Sequence, residues 1–354
     1  VRTTLVVPDR DSAAPSGGDV YDARVAAHWP DDLRVCRAPG AWPRPADADR
    51  ASLARLLAGL GRGPVLIDGL VGSAVPELIE ASAQVRVTGV LVHSTLSAGS
   101  GAQGAVAEEL DALEHRALRA ADLVATTSAW SASDLRAHYG IEEVVVARPG
   151  VDPALVAPGS SEPGGGSTPH LLTLGALTPV KNHAALLAAL ARLRDLRWTL
   201  TVAGPAPDHA FAERLSGTAH DLGLEERITW SGPLDGAALD EAWARTDLLV
   251  HPSRSETWGM VVSEAHARGI PAVVNRGTGA EEALTWRGGS PGAAVDVDDP
   301  DQLTEVLREW LADEATRTAW RSDALRRRDV LPGWGETAQV LHDALARLVP
   351  PAGN

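Results

Sequence analysis

The sequence predicts an α/β protein built from two doubly wound domains, and three observations predict it. Short β-branched or apolar runs alternate with longer Ala/Leu-rich runs of helical period, the pattern of βαβ repetition and of a parallel sheet covered on both faces. The alternation stops in a Gly/Ser/Pro-rich stretch, residues 158–169, around Gly164-Gly165-Gly166-Ser167, and then restarts. The chain has 354 residues, enough for two cores at roughly 100–200 residues per domain.

In the first domain, residues 1–157, the β-branched run Thr3–Val7 opens the sheet and the helix Asp19–His28 follows it. Strand and helix then alternate in order: Leu33–Cys36 with Ala48–Leu60, Val65–Ile67 with Ala74–Ser82, Val87–Val92 with Gln103–Ala120, Leu123–Thr126 with Ala129–His138, and last Val144–Val146. After the linker, the second domain (170–333) repeats the scheme. Its strands are Leu171–Leu174, Trp198–Val202, Ile228–Trp230, Leu248–Val250 and Ala272–Val274. Its helices are Lys181–Asp195, His209–Asp221, Asp235–Arg245, Gly259–Arg268, Gly279–Leu284 and Pro300–Ala312. In the helix after Lys181, Leu186, Leu187, Leu190 and Leu193 form one apolar stripe. A last helix, 334–348, is expected to pack back onto the first domain. Two such domains joined by a glycine linker make a ligand cleft at their junction the default expectation.

Charge narrows the partners. Lys+Arg number 32 against Asp+Glu 47, a net charge of −15, which argues against nucleic acid and against stable association with an anionic membrane. Residues 1–155 carry 14 Arg against 20 Asp/Glu. No apolar run approaches the roughly 20 residues of a membrane span. Val1–Val7 lacks the basic start and longer apolar region of a signal peptide, so a cytoplasmic location is expected. One cysteine, Cys36, leaves neither an internal disulfide nor a Cys-based zinc cluster. Of the 32 basic residues 31 are Arg, and the single Lys is Lys181. The dominance of Ala, Arg, Gly and Pro fits a GC-rich genome, as in actinomycetes, in which a retained Lys stands out.

The richest stretch runs from Asp247 to Ala265. A strand ends at Val250, a loop carries Glu256, and a helix begins near Gly259, with Glu264 about one and a half turns inside it. Free amides at a helix start attract anions, and carboxylates accept the hydroxyls of vicinal diols. A diphosphate between two polyols would satisfy that arrangement; so would water around two solvated glutamates.

Ser255-Glu256-Thr257-Trp258-Gly259-Met260-Val261-Val262-Ser263-Glu264-Ala265 resembles the Glu-x7-Glu signature of the retaining glycosyltransferases of family 4. Arg268-Gly269-Ile270-Pro271-Ala272-Val273-Val274 is similar to the strand that follows it there. Leu174-Gly175-Ala176-Leu177-Thr178-Pro179-Val180-Lys181-Asn182 resembles the family's phosphate loop, and Trp230-Ser231-Gly232-Pro233-Leu234 its base-side loop. Weaker matches are Pro15-Ser16-Gly17-Gly18, Val92-His93, residues 121–128 and Arg148-Pro149-Gly150-Val151-Asp152.

The resemblance implies a GT-B fold, two Rossmann-like domains facing a central cleft, and a nucleoside-diphosphate sugar as donor. Lys181 would then bind the diphosphate, Glu256 the donor-sugar hydroxyls and Glu264 the ribose. Backbone amides of Trp258, Gly259 and Met260 would contact sugar and phosphate. Gly175, Leu234 and Val261 would complete the donor site. Gly17 and Gly18 would let the backbone approach the phosphate, His93 would contact the transferred sugar, and Asp19 and Tyr21 would meet a soluble small-molecule acceptor. Helix capping explains Asp19 equally well. Glu256, Lys181 and His93 form the implied catalytic set.

Three departures stand out: Ala176 replaces an Arg of the family, Lys-Gly becomes Lys181-Asn182, and Asn-Gly-Val-Asp becomes Pro149-Gly150-Val151-Asp152. Without the Arg there is no bidentate fork for a diphosphate; Arg254 and Arg276 are the candidates to compensate. The departure keeps a nucleotide-sugar epimerase and a lapsed nucleotide-sugar binder as alternatives to a transferase. Asp296-Val297-Asp298 spells a DxD, but Asp299-Pro300 reads as a helix cap followed by proline in the first turn. No metal and no cofactor beyond the donor are expected.

Overall fold

The computed structural model describes residues 2–10, 15–160, 168–286 and 288–349, and in it the chain divides into two compact units. The first comprises Val1–Gly150 with Pro332–Asn354, the second Val151–Leu331.

The strands of the first unit are β1 (Thr3–Pro8), β2 (Leu33–Ala38), β3 (Val65–Asp68), β4 (Thr88–Val92), β5 (Leu123–Thr126) and β6 (Val145–Val146). Its helices begin with α1 (Gly17–Ala27), α2 (Asp47–Ala58), α3 (Gly69–Gly72), α4 (Pro76–Ala83), α5 (Leu96–Ser100), α6 (Ala105–Ala120) and α7 (Ala129–Tyr139). The sheet is parallel in the order β2-β1-β3-β4-β5-β6, with Leu5 opposite Val35 and Ile67 opposite Val90. Every residue of β3, β4 and β5 is buried, as helices on both faces require. The order reverses between β1 and β3, so the ends of those strands flank a topological switch point.

In the second unit the strands are β7 (His170–Leu174), β8 (Thr199–Ala203), β9 (Ile228–Gly232), β10 (Leu248–His251), β11 (Ala272–Asn275) and β12 (Gly292–Val295). The α-helices are α8 (His183–Ala191), α9 (His209–Asp221), α10 (Gly236–Arg245), α11 (Met260–Ala267), α12 (Gly279–Leu284), α13 (Pro300–Ala312) and α14 (Glu314–Arg328). The sheet is again parallel, β12-β11-β10-β7-β8-β9, and its switch point lies between β7 and β10. On one face Leu171 and Val250 pack with the stripe Leu186, Leu187, Leu190 and Leu193 and with Trp198, Leu307 and Trp310. Leu172, Leu249, Val262 and Ala265 cover the other face.

The helix α15 (Trp334–Leu348) belongs to the first unit. Thr337 Oγ donates to the Arg148 carbonyl at 2.7 Å, and the Trp334 ring packs edge-on against Tyr21.

Several sequence expectations are corrected. Residues 151–157, expected in the first domain, group with the second. The Ala157 amide donates to the Arg268 carbonyl at 2.9 Å, and Arg328 donates to the Ala154 carbonyl at 3.0 Å. Within the expected linker, residues 161–167 lie outside the described residues. Asp247 accepts from the amides on both sides, Ser160 at 3.1 Å and His170 at 2.8 Å. The helix expected from Lys181 starts at His183, because Asn182 is left-handed (φ 54°) after a single 3-10 turn, Pro179–Lys181. Neither the strand β12 nor the helix α14 was anticipated.

Candidate active site

The second unit's switch point brings the loop after β7 against the loop after β10. Two hydrogen bonds set the distance: the Arg254 amide donates to the Val180 carbonyl at 2.8 Å, and Ser253 Oγ donates to the same carbonyl at 3.3 Å. On the far side the Gly279 amide, at the start of α12, donates to the Glu256 carbonyl at 2.7 Å. The loop is thus held at both ends, and Glu256 is carried to Lys181.

The Lys181 ammonium donates to Glu256 Oε1 in an ion pair. The same oxygen accepts from His251 Nε2 at 2.8 Å. The Glu256 side chain is 12% exposed. Its burial works against the charge, but Lys181 and His251 outweigh it and hold the carboxyl well below the usual carboxylate range. The neighbouring His183 is buried and lowered to about 4, first by burial and then by His251 and Lys181, so it is neutral. Gly175 lies against the Lys181 stem, where a Cβ would be 3.6 Å from Cδ.

Just beyond Glu256, Gly259 caps α11 with φ 78°, and a Cβ there would approach that of Ala280 to 3.2 Å. A residue with a side chain would be strained in this conformation. The Trp258 ring is buried, and its indole N–H donates to Ser263 Oγ at 3.1 Å, so only its backbone remains for a ligand. Met260, Val261 and Leu234 are half-buried against the core. Glu264 is half-buried on α11, where its charge acts on Arg268.

Neither candidate for the missing Arg takes its place. Arg254 donates to Asp298 Oδ1 at 2.8 Å and to the Pro179 carbonyl at 3.3 Å. Arg276 donates to the Ala294 carbonyl at 3.0 Å. Lys181 is the cation beside Glu256 on the loop after β7. In the DxD run Asp298 Oδ1 accepts from Arg254 and Asp296 Oδ1 accepts the Asp298 amide at 3.0 Å, while the next residue, Asp299, caps α13 ahead of Pro300.

The first unit's switch point carries a second cluster. His93 follows β4 directly, Asp68 ends β3, and Asp22 lies on α1. His93 Nε2 donates to Asp22 Oδ1 at 2.9 Å and lies 3.5 Å from Asp68 Oδ2. Burial, then the charge of Asp22, pushes Asp68 up to about 8. For His93 burial acts the other way, but Asp22 and Asp68 overcome it and raise the imidazole to about 9. Among the described residues these three alone bring potential metal-ligand atoms within 4.8 Å of one another. They satisfy each other through protons, and a cation would have to displace the Nε2 proton.

The backbone of Gly18 lies over the His93 ring, where a Cβ would come within 3.0 Å of Cδ2. Gly17 and Gly18 form the first turn of α1, two residues earlier than expected. Asp19 closes a capping box there: Ser16 donates its amide (2.8 Å) and hydroxyl (2.7 Å) to the carboxylate. Tyr21 is a correction. It is 1% exposed, and its hydroxyl donates to the Ala147 carbonyl at 2.8 Å, so it is a core residue and cannot meet an acceptor.

Sequence reasoning missed four residues here. His251 ends β10 five residues before Glu256, a spacing that could have flagged it. His183, Asp22 and Asp68 gain their meaning only from strand order.

Comparison with known proteins shows the family and the fold. The family described as glycosyl transferases group 1 matches residues 163–327. A D-inositol 3-phosphate glycosyltransferase of Catenulispora acidiphila is 31% identical over 366 residues, covering 91% of this chain and 84% of that one. One of Kineococcus radiotolerans is 30% identical over 260 residues, 67% of this chain and 59% of its own length. Among solved structures, a sucrose-phosphate synthase from Thermosynechococcus elongatus superposes with TM-score 0.79 at 18% identity, covering 98% of this chain and 99% of its own. Anabaena HepE in complex with UDP and glucose gives 0.76, also at 18% identity, with 98% and 100% covered. The fold is GT-B, and the chain belongs to the group 1 glycosyltransferases.

Proposed function

We propose that this glycosyltransferase moves a sugar from a nucleoside-diphosphate sugar to a small-molecule acceptor, with retention at the anomeric carbon and without a metal ion. The observation that carries the reading is the Lys181–Glu256 pair at a switch point, immediately before the N-terminus of α11. Lys181 neutralises the charge that develops on the leaving diphosphate. The start of α11, with the amides of Trp258, Gly259 and Met260, adds positive potential. Glu256 accepts hydroxyls of the donor sugar and Glu264 those of the ribose, while His93 takes a hydroxyl of the transferred sugar. Gly17 and Gly18 let the backbone approach phosphate and acceptor, and Asp19 borders the acceptor.

On a front-face path the leaving and attacking groups share one side of an oxocarbenium-like centre. The protein's task is then to stabilise the departing phosphate, and no protein nucleophile is needed. The HepE complex with UDP and glucose supports a uridine nucleotide as the first probe. The relatives' names support a phosphorylated cyclitol as acceptor.

Calorimetry with UDP, GDP, ADP and dTDP identifies the nucleotide. Turnover of the matching nucleotide sugar with D-inositol 3-phosphate, in EDTA, should then release nucleoside diphosphate and give a product whose anomeric proton coupling matches the donor. An inverted product overturns the front-face path, and strict dependence on added Mg²⁺ or Mn²⁺ overturns metal independence.

A further inference from the structure

We propose that Asp22 and Asp68 are positioning residues that hold His93 Nε2 inward and so fix His93 as a hydrogen-bond donor through Nδ1–H. The inference rests on the glycosyl-transfer reading for its consequence, but not for its geometry.

Three elements build the array. From α1, Asp22 accepts the Nε2 proton at 2.9 Å; from the end of β3, Asp68 places Oδ2 3.5 Å from the same nitrogen. Both carboxyl side chains are at least nineteen-twentieths buried, and the imidazole is 16% exposed. The ring is held from two further sides. Tyr21 packs edge-on with centroids 4.9 Å apart, and the backbone of Gly18 covers Cδ2. A ring so clamped cannot turn over, so the nitrogen left for a ligand is Nδ1.

The charge of the ring follows from the partners. A neutral imidazole donating through Nε2 would leave Nδ1 bare, and the buried carboxylate at 2.9 Å favours the charged ring, in which both nitrogens carry protons. Two carboxylates side by side cannot both keep a full charge in a buried site. Asp68 therefore carries a proton, and it lies within hydrogen-bond reach of Asp22. That proton accounts for Asp22 Oδ2, which has no other partner. Its other oxygen, Asp68 Oδ1, is taken by the Leu70 amide at 2.6 Å. The array is then one acid, one carboxylate and one imidazolium, neutral as a whole, with Nδ1–H its outward donor. Such a group binds an electron-rich oxygen, as a sugar hydroxyl presents, and not a cation.

The wild-type protein gives the first test. With the imidazoles labelled with ¹⁵N and His93 assigned through His93→Gln, both ring nitrogens of His93 should remain protonated at pH 7. In Asp22→Asn, which removes the counter-charge, Nδ1 should lose its proton at that pH. A wild-type His93 that is neutral at pH 7, or whose Nε2 proton is displaced by stoichiometric Zn²⁺, overturns the assignment whatever the reaction. The second test is a double-mutant cycle on donor turnover. Asp22→Asn and Asp68→Asn should each lower kcat by about 10–100-fold, the range for groups that orient a functional histidine. Neither should lower it further in a His93→Ala background. Full additivity with His93→Ala means the carboxylates act elsewhere and overturns the positioning role.

Discussion

Lys181 and Glu256, 75 residues apart in the chain, form an ion pair across the two adjacent strand ends that define a switch point. The cation a diphosphate would need is thus already held by the carboxylate a sugar would need. On the proposed reading, donor binding exchanges one partner for another at Lys181. His251 stays on Glu256 Oε1 and keeps that carboxylate in place.

Glu256→Gln is expected to lower transfer by at least about 100-fold, because the site loses its charged acceptor and the partner of Lys181 with little change in volume. The fold should persist. Lys181 is 27% exposed and can be solvated when the pair is broken. Steady-state kinetics at saturating donor, with circular dichroism melting, measures both; near-wild-type turnover refutes the placement.

Lys181 is the only lysine, so an amine-acylating reagent followed by peptide mass spectrometry reports on one side chain. The matching nucleoside diphosphate should slow its modification, and modification should reduce transfer. Glu256→Gln should speed modification in the absence of nucleotide, since the carboxylate no longer holds the amine. Equal rates with and without bound nucleotide contradict the phosphate contact.

Tyr21→Phe should leave transfer within about twofold and destabilise the protein by about 1–2 kcal/mol, the cost of leaving a buried carbonyl, here that of Ala147, without its donor. Urea unfolding followed by tryptophan fluorescence gives the second number. A large loss of activity at unchanged stability would return Tyr21 to the acceptor site.

His266 and His183 are both buried and lowered, to about 3 and about 4, chiefly by burial. Their folded values lie below the unfolded value of 6.5, so the unfolded chain binds more protons. The stability they contribute is present above 6.5 and is lost as pH falls toward the folded values. His266→Leu removes one of these protons. Between pH 4.5 and 6 it should flatten the dependence of unfolding free energy by about 1.4 kcal/mol per pH unit. Denaturant titrations at several pH values test this, and an unchanged slope refutes it.

The parts legible in the sequence were those encoded locally. Glu256 and Glu264 sit on a loop and helix whose apolar pattern is plain, and α9 and α12 run between the expected residues. Lys181 stood out by its rarity, and Asn182 shows why a Gly position could be refilled: Asn tolerates the left-handed region better than most side chains. What stayed hidden depended on strand order. Asp22 and Asp68 reach His93 from α1 and from the end of β3, and nothing in their spacing announces that β1, β3 and β4 lie side by side. Helix α14 buries only Ala324 and so offered no apolar stripe. Strand β12, Gly-Ala-Ala-Val, has a single β-branched residue. Tyr21 looked polar enough for a binding surface, and only its partner at Ala147 makes it a core residue.

The discontinuity of the first unit has a consequence for synthesis. The ribosome delivers residues 1–150 first, yet α15, which packs on Tyr21 and caps the Arg148 carbonyl, is made after the whole of residues 151–331. The second unit is continuous and can complete its core on the nascent chain as soon as α14 clears the exit tunnel. The first must wait with part of its apolar surface uncovered, which is the state in which partly made chains aggregate. Release of the last turn of α15 is therefore the event that closes the older half of the molecule, and a stop codon shortly before Trp334 would strand the first unit while leaving the second intact.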